Sequence, residues 1–527
     1  MRRFNWAVLL ARAAMIATLQ VFIFATYTSA QVSAPPPPTS QANALPLSGR
    51  SAQTGGVVAS ESPVPSTTTS VNTLNPTVSV QGAYSGSASS TARLPFSGEL
   101  SLAEAIQRGA RYNLGAVSMV QVVLQARGQA RAARSALLPN LKGDVNDTEE
   151  TFNLRSIGFN FSFPGFSLPA IVGPFNILDI RVRLSQTIAD FTALNNYRAA
   201  QEVARAGELS ATDAQDLVVL AVAGAYLQVS AANARLLSAQ AQLDTANALF
   251  QRTTQQFAFG KAAQIDVNRS RVEVLLDQQR LVTLQDDLAK QKINLARLTG
   301  LPPSADYELS NDIPYAPAPS LTMDDAIRQA LAQRADLKVA ETQVKAAERA
   351  LAATRAERFP SLSASADYGE IGNPSELRPT YTISATLNVP IWNGGRTGGD
   401  IQQAQAALAQ RRAELEDARS QIESDVRNAF RDLEAAANQV RVAQQNITLM
   451  GGTLRQTRQR FEAGVSENVD VVQSQESVAG ADLDYIDSVF AHNLAKLALA
   501  RALGNAADKL GQFLPVQQHQ GAVRSDK

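Results

Sequence analysis

The chain has 527 residues, with 48 Lys plus Arg balancing 48 Asp plus Glu, two His and no Cys. Zero net charge gives no footprint for nucleic acid, which asks for a basic excess or stripe. The lack of Cys excludes disulfides, thiolate metal sites, a Cys nucleophile and lipid attachment at a mature N-terminal Cys.

Arg2 and Arg3 precede an apolar run over residues 6–25, broken by Arg12, and Thr28-Ser29-Ala30 supplies small residues before Gln31. This reads as a secretory signal peptide over 1–30. The competing reading is a membrane anchor, whose apolar core Arg12 would cut below spanning length. The longest apolar run elsewhere, 217–229, contains Gly224 and Gln228, so no spanning helix is expected. Residues 31–95 open on Pro35 to Pro38 and are rich in Pro, Ser, Thr, Ala and Gly; they read as a disordered leader. The fold is expected to start near Leu100, with a first repeat over 96–300.

Residues 102–141 align without gaps on 323–362, with Ala105/Ala326, Ile106/Ile327, Val123/Val344, Arg134/Arg355 and Pro139/Pro360 identical. Further on, Phe257-Ala-Phe-Gly260 with Ile265-Asp266-Val267 aligns on Phe461-Glu-Ala-Gly464 with Val469-Asp470-Val471. The offset falls from 221 to 204 between these blocks. An ordered series of this kind marks a duplicated unit. The second copy spans 323–504, an inter-repeat segment 301–322, and a tail 505–527.

Each copy carries a seven-residue apolar period: Val222, Val229, Leu236, Leu243, Phe250, Phe257, then Val426, Leu433, Val440, Ile447, Leu454, Phe461. Such a seam winds helices about one another. Its flanks are Ala, Gln, Asn and Arg, which suits a helical wall with water on one side. A helix over 191–256 would be about 100 Å long at 1.5 Å per residue. Helices over 102–138 and 265–299 would each be about half that, and 323–359, 395–460 and 469–503 repeat the scheme. Pro139 and Pro360 end the first helix of each copy.

After each proline the period becomes two. Ile157, Phe159, Phe161 and Phe163 alternate with polar residues, as do Leu178, Ile180, Val182 and Leu184 with Asp179, Arg181, Arg183 and Ser185. In the second copy Leu362, Ala364, Ala366 and Tyr368, then Tyr381, Ile383, Ala385, Leu387, Val389 and Ile391, do the same. The strands are thus expected within about 141–188 and 362–391, approaching bilayer-crossing length. A soluble sheet would need a helix to cover its apolar face, and none is spare; lipid is the remaining cover. Four strands cannot close a membrane barrel, and lipid tolerates no open edge. Oligomerisation is therefore expected, with eight strands from a dimer or twelve from a trimer. Trp392 fits an aromatic belt at the membrane boundary.

Over residues 100–505 the duplicated plan resembles the TolC-type outer-membrane efflux proteins. Val389-Pro390-Ile391-Trp392-Asn393-Gly394-Gly395-Arg396 resembles their strand-to-helix junction, and Ser185-Gln186-Thr187-Ile188-Ala189-Asp190-Phe191 a worn copy of it. Phe257-x-x-Gly260 and Phe461-x-x-Gly464 resemble the two helix-tip turns. The resemblance implies a mainly α fold with a transmembrane β part: a homotrimeric twelve-stranded outer-membrane barrel continued by a periplasmic α-helical barrel. The segment 300–322 and the end of the chain would gird its middle. It also implies a passive conduit of a tripartite efflux or type I secretion system, fed by an inner-membrane pump through a periplasmic adaptor. Gly260, Lys261, Ala262, Gly464, Val465 and Ser466 would then meet the adaptor. Asp470 would belong to an acidic ring at the periplasmic mouth, which Asp266 helps hold shut. Gln473, Ser466 and Phe461 depart from that pattern where a second acid, a basic latch and a tyrosine are expected. For both Asp residues a helix N-cap or first-turn role stays open.

The competing function is a periplasmic coiled-coil adaptor or scaffold without a pore, for which the duplicated hairpins have no use. A secreted enzyme has no site to build on. Gly394-Gly395-Arg396-Thr397-Gly398-Gly399 lacks the Gly-Lys-Ser/Thr of a phosphate loop. His492 and His519 read as packed or solvated side chains rather than a catalytic pair. No catalytic residue, metal site or cofactor is expected.

Overall fold

A computed structural model describes residues 57–63, 74–88, 96–156, 158, 162–163, 166–167, 169–504, 506–514 and 517–518. The signal peptide, the leader before Val57, His519, Ile157, Phe159 and Phe161 lie outside them.

The part of the leader that is described is ordered, which corrects the expectation for 31–95. Strands β1 (Val57–Pro63) and β2 (Leu74–Val80) pair antiparallel, and a 3-10 turn at Gly82–Ser85 follows. The reason is packing. Val57 and Tyr84 are buried, and Val78 lies so close to Gly224 that a Cβ there would sit 2.6 Å from Val78 Cγ2. The glycine that interrupts the apolar run at 217–229 is what lets the leader hairpin approach.

Strand β3 (Ser97–Leu100) runs into α1 (Leu102–Tyr112) and α2 (Leu114–Ser135), followed by β4 (Asn140–Asn153). Two short strands, β5 (Ser162–Phe163) and β6 (Phe166–Ser167), precede β7 (Ile171–Ala189), the long helix α3 (Phe191–Ala258) and α4 (Gln264–Thr299). Then come β8 (Asp306–Leu309), β9 (Asn311–Asp312), α5 (Met323–Gln333), α6 (Ala335–Ala356), β10 (Ser361–Asn373) and β11 (Glu376–Asn388). Helices α7 (Arg396–Glu462), α8 (Asn468–Ala502) and α9 (Ala506–Phe513), with β12 (Gln517–Gln518), complete the order.

The duplication is structural. Ser101 accepts from Glu104 N to cap α1, and Thr322 accepts from Asp325 N to cap α5, 221 residues on. Ala105 and Ala326 are both fully buried. The first helix of each copy, expected to be continuous over 102–138 and 323–359, is instead broken at equivalent positions, Asn113 and Arg334. Both residues leave the helical region (φ −60, ψ 131 and φ −56, ψ 127). Different partners hold the two breaks. Asn113 Nδ2 donates to Tyr84 O at 2.8 Å and its Oδ1 accepts from Gly115 N, so the leader itself closes the first break. Arg334 binds Asp336 at 2.6 Å and Asp425 at 2.9 Å, closing the second with charge.

The seven-residue seams pack as expected: Val222, Val229, Leu243, Val426, Leu433 and Val440 are buried, while Leu236 and the seam residues nearest the tips are half-buried or exposed. Helix α3 contains an eighteen-residue stretch apolar enough to cross a membrane by length and composition. That stretch is 72 % buried inside the fold, so it serves as a core helix. Around its middle, β8 pairs in parallel with β3, and β9 pairs with β12. Ala507 N donates to Asp216 and Arg501 binds Asp213, which fixes the end of the chain to the same level. Leu301, Tyr307, Leu510 and Leu514 are buried in the same cluster as Val218 and Val222. Each such side chain is worth about 1.5–3 kcal/mol when buried.

His492, one of the two histidines, is packed here. It is 1 % exposed, lies with its ring centroid 4.8 Å from that of Tyr315, and neither ring nitrogen has a hydrogen-bond partner among the described residues. Burial, then the neighbouring Lys496 charge, pushes its pKa down to about 4. The unfolded chain therefore takes up this proton first as pH falls, near 6.5, and the fold loses stability between there and about pH 4. The loss is about 3 kcal/mol per protomer at the acid end. Thermal unfolding across this range should show it, and His492→Phe should abolish that component.

Candidate functional site

Among the described residues four long strands form one antiparallel sheet in the order β11-β10-β7-β4. The hairpin β10–β11 and the strand β7 are the expected ones. The fourth strand corrects the sequence reading: β4, at Asn140–Asn153, takes the place assigned to Ile157–Phe163, and Ser162–Phe163 pairs only with Phe166–Ser167. Five acidic or basic side chains in β4 hide its alternation from a hydropathy count, whereas the phenylalanine run falls in the connection beyond the strand.

Register separates two faces. Leu141, Leu184, Ala366 and Ile383 stand in one row across the sheet, and Gly143, Val182, Tyr368 and Tyr381 in another. On the opposite face one row holds Lys142, Arg183, Asp367 and Thr382, and another Asn140, Ser185, Ser365 and Ser384. The polar face pairs internally. Arg181 reaches Asp179 at 2.6 Å and Asp367 at 3.3 Å, Arg183 reaches Asp144 at 3.4 Å, and Ser365 bonds Ser384 at 2.7 Å. The apolar face has no second layer among the described residues: Leu141 is 70 %, Tyr381 74 % and Ile383 78 % exposed. A soluble monomer rarely leaves a contiguous patch of this kind open.

Aromatic residues border the face at its helix end, and of these the sequence reading assigned only Trp392 to the membrane boundary. Trp392 is 87 % exposed just past the sheet, and Phe191 and Phe359 meet edge-on beside the same junction with centroids 6.2 Å apart. Tyr368 and Tyr381 are directly paired near the middle of β10 and β11.

At the far end of the helices lie the two tip turns. Gly260 and Gly464 have φ +70 and +75 with open space where a Cβ would go, so the turn's backbone, rather than crowding, demands glycine. Lys261, Gly464 and Val465 are exposed, and Ala262 and Ser466 half-buried. Asp266 Oδ2 accepts from Ala263 N at 3.2 Å, and Asp470 Oδ2 accepts from Glu467 N at 3.3 Å and Ser466 Oγ at 3.1 Å. Both carboxylates therefore perform the first-turn role at their helix starts. Asp470 and Gln473 are exposed. Phe461 is half-buried against Leu249, Val471 and Val472.

The contact that joins the two tips was missed from sequence. Asn468, buried at 3 %, donates through Nδ2 to Asp266 O at 3.1 Å and to Ser270 Oγ at 3.0 Å. Ser270–Thr253 and Ser474–Thr457 then pin each helix pair at positions 204 apart, a repeat signal present in the sequence.

The outer membrane efflux protein family model matches residues 117–301 and 326–505, more than half of the chain. The chain belongs to the outer membrane efflux protein family. It is, accordingly, an outer-membrane efflux channel protein. The pyoverdine export outer membrane protein OpmQ of Pseudomonas aeruginosa is 25 % identical over 404 residues, 74 % of this chain and 82 % of that one. The outer membrane protein TolC of Vibrio cholerae is 23 % identical over 345 residues, 63 % of this chain and 78 % of its own. Among solved structures the Vibrio cholerae outer membrane protein VceC superposes with a TM-score of 0.64 at 19 % identity, covering 76 % of this chain and 96 % of its own. The Campylobacter jejuni outer membrane channel CmeC gives 0.66 at 15 %, covering 77 % and 86 %. The tunnel-and-sheet plan of this efflux protein is thus shared along almost the whole length of those channels.

Proposed function

We propose that three copies of this outer membrane efflux protein close one twelve-stranded barrel and a continuous helical tunnel. The assembly is a passive conduit for solutes that an inner-membrane pump delivers through a periplasmic adaptor. The observation that carries this is the sheet with two free edges, β4 and β11, and one uncovered apolar face. In hydrocarbon each unpaired backbone group costs several kcal/mol, so edges of this kind must meet edges of other copies. Twelve strands lie within the size range of closed outer-membrane barrels. The uncovered apolar face also disfavours the alternative, a periplasmic coiled-coil scaffold, which would aggregate through it.

The detergent-solubilised protein should have three times the chain mass and form channels in planar bilayers. A monodisperse monomer stable in water without amphiphile, with no conductance, would sink the proposal. The exposed turns around Gly260 and Gly464 are the surfaces that meet the adaptor.

In this reading Asp470 forms a ring of three carboxylates at the mouth, and the Asn468 bridge to Asp266 O holds the two tips of each subunit together. Asp470→Asn keeps a cap acceptor while removing the charge. It is expected to weaken block of the channel by a multivalent cation at least several-fold with unchanged assembly mass. Unaltered block would confine Asp470 to capping.

A further inference from the structure

Between the α3/α4 and α7/α8 pairs lies a cavity of about 380 Å³, within the range of small-molecule sites. Its walls are mixed. Leu454, Val478, Ala479 and Ile486 supply apolar surface, Glu273, Asp277 and Asp482 bring three carboxylates from two helices, and Arg458 brings one cation from a third. Asp277 is 7 % exposed, yet among the described residues it accepts no hydrogen bond, and its nearest cation, Arg280, stands at 4.0 Å. Arg280 Nη1 lies 3.3 Å from Gln242 Oε1, so it is shared away from the carboxylate. Gln475, also in the wall, has both amide atoms buried without a hydrogen-bond partner among the described residues. A nearly buried carboxylate without a hydrogen-bond partner among the described residues lines this space, and groups of this kind ordinarily find partners.

We propose that this cleft binds an organic cation with an apolar body. Its charge would lie against Asp277 and Glu273, and its hydrocarbon would fill the Leu454–Val478–Ile486 side. Among the described residues no group of three ligating side chains could hold a metal ion, so a bare divalent cation has no cage here. The apolar wall gives a hydrated inorganic ion nothing. The acids also lean toward neutralisation: burial, then the charges of Asp277 and Glu476, raises the pKa of Glu273, and burial raises that of Asp277 against the pull of Arg280. The cleft is built within one protomer and stands independently of the trimer.

The test uses the full-length protein in detergent, with ethidium as the probe and the uncharged phenanthridine ring system as control. Fluorescence anisotropy should show saturable ethidium binding, one per protomer, and none for the control. Asp277→Asn should weaken it at least tenfold. Val478→Phe, which fills the cavity without touching the acids, should abolish it at unchanged assembly mass. Equal affinity in wild type, Asp277→Asn and Val478→Phe would overturn the proposal. So would stoichiometric displacement of ethidium by magnesium chloride at matched ionic strength, since that would mark an inorganic cation site. Loss of the threefold mass would concern the duct and leave this binding result to stand by itself.

Discussion

Ile383→Arg is expected to abolish insertion into the outer membrane while leaving the helices folded. Ile383 is 78 % exposed in the protomer, and an exposed substitution on a soluble protein usually shifts stability by less than about 0.5 kcal/mol. In a bilayer the same Arg, near the middle of β11 and in the apolar row with Leu141, Leu184 and Ala366, costs about 2–4 kcal/mol per copy. Three copies multiply it. Ser384→Arg, one residue along and on the polar face, should be tolerated, because period two points it away from lipid. Fractionation of the envelope with a folding-sensitive gel shift reads both variants. Equal insertion of the two would mean that neither face meets hydrocarbon.

Arg334→Ala should be the most damaging single change in the helical part. The guanidinium is 8 % exposed and binds Asp336 through two nitrogens, at 3.0 and 2.6 Å, with Asp425 on a third at 2.9 Å. Removing it strands two carboxylates that are each about one-third exposed. The loss expected for a buried pair, about 3–5 kcal/mol, is therefore reduced by solvent to about 2–4 kcal/mol. Arg334→Lys should recover only part, because an ammonium cannot make the two-pronged contact. Burial alone would raise the Asp336 carboxyl, but Arg334 holds it below its usual value. That stabilisation is present above about pH 4 and lost as pH falls through the lowered value, and the variant should lack it. Thermal unfolding of the solubilised protein at pH 7 and in acid checks each step. A variant as stable as wild type would show that the break at 334 needs no charge to hold it.

The two breaks also show where sequence reading stops. Through 102–138 the apolar period continues across Asn113, and at 334 neither Gly nor Pro interrupts it. Asn113 followed by Gly115 was a weak turn signal; Arg334 offered none, because its reason lies 91 residues away at Asp425. The leader behaved similarly. Its composition lacks a sustained apolar period, yet Val57, Val78 and Tyr84 find a surface on α3 that exists only once the helices have paired. In the sheet, β7, β10 and β11 were legible because their alternation is clean. The β4 strand was not, because Lys142, Asp144, Asp147, Glu149 and Glu150 interrupt its alternation, and the Asp144–Arg183 pair that helps to hold it is set by the register. At the tips, Asp266 and Asp470 were readable as first-turn acids, but the Asn468 bridge between the two copies was not.

By itself the chain determined its duplicated plan, its helical seams, its tip turns and three strands that alternate apolar and polar residues. These rest on local periods, caps and glycine backbone preferences that neighbours in sequence enforce. Only the tertiary structure decided which segment supplies the fourth strand, where the paired helices break and what holds the breaks. Those outcomes depend on hydrogen bonds, ion pairs and close packing between residues far apart in the chain, whose energies no local window contains.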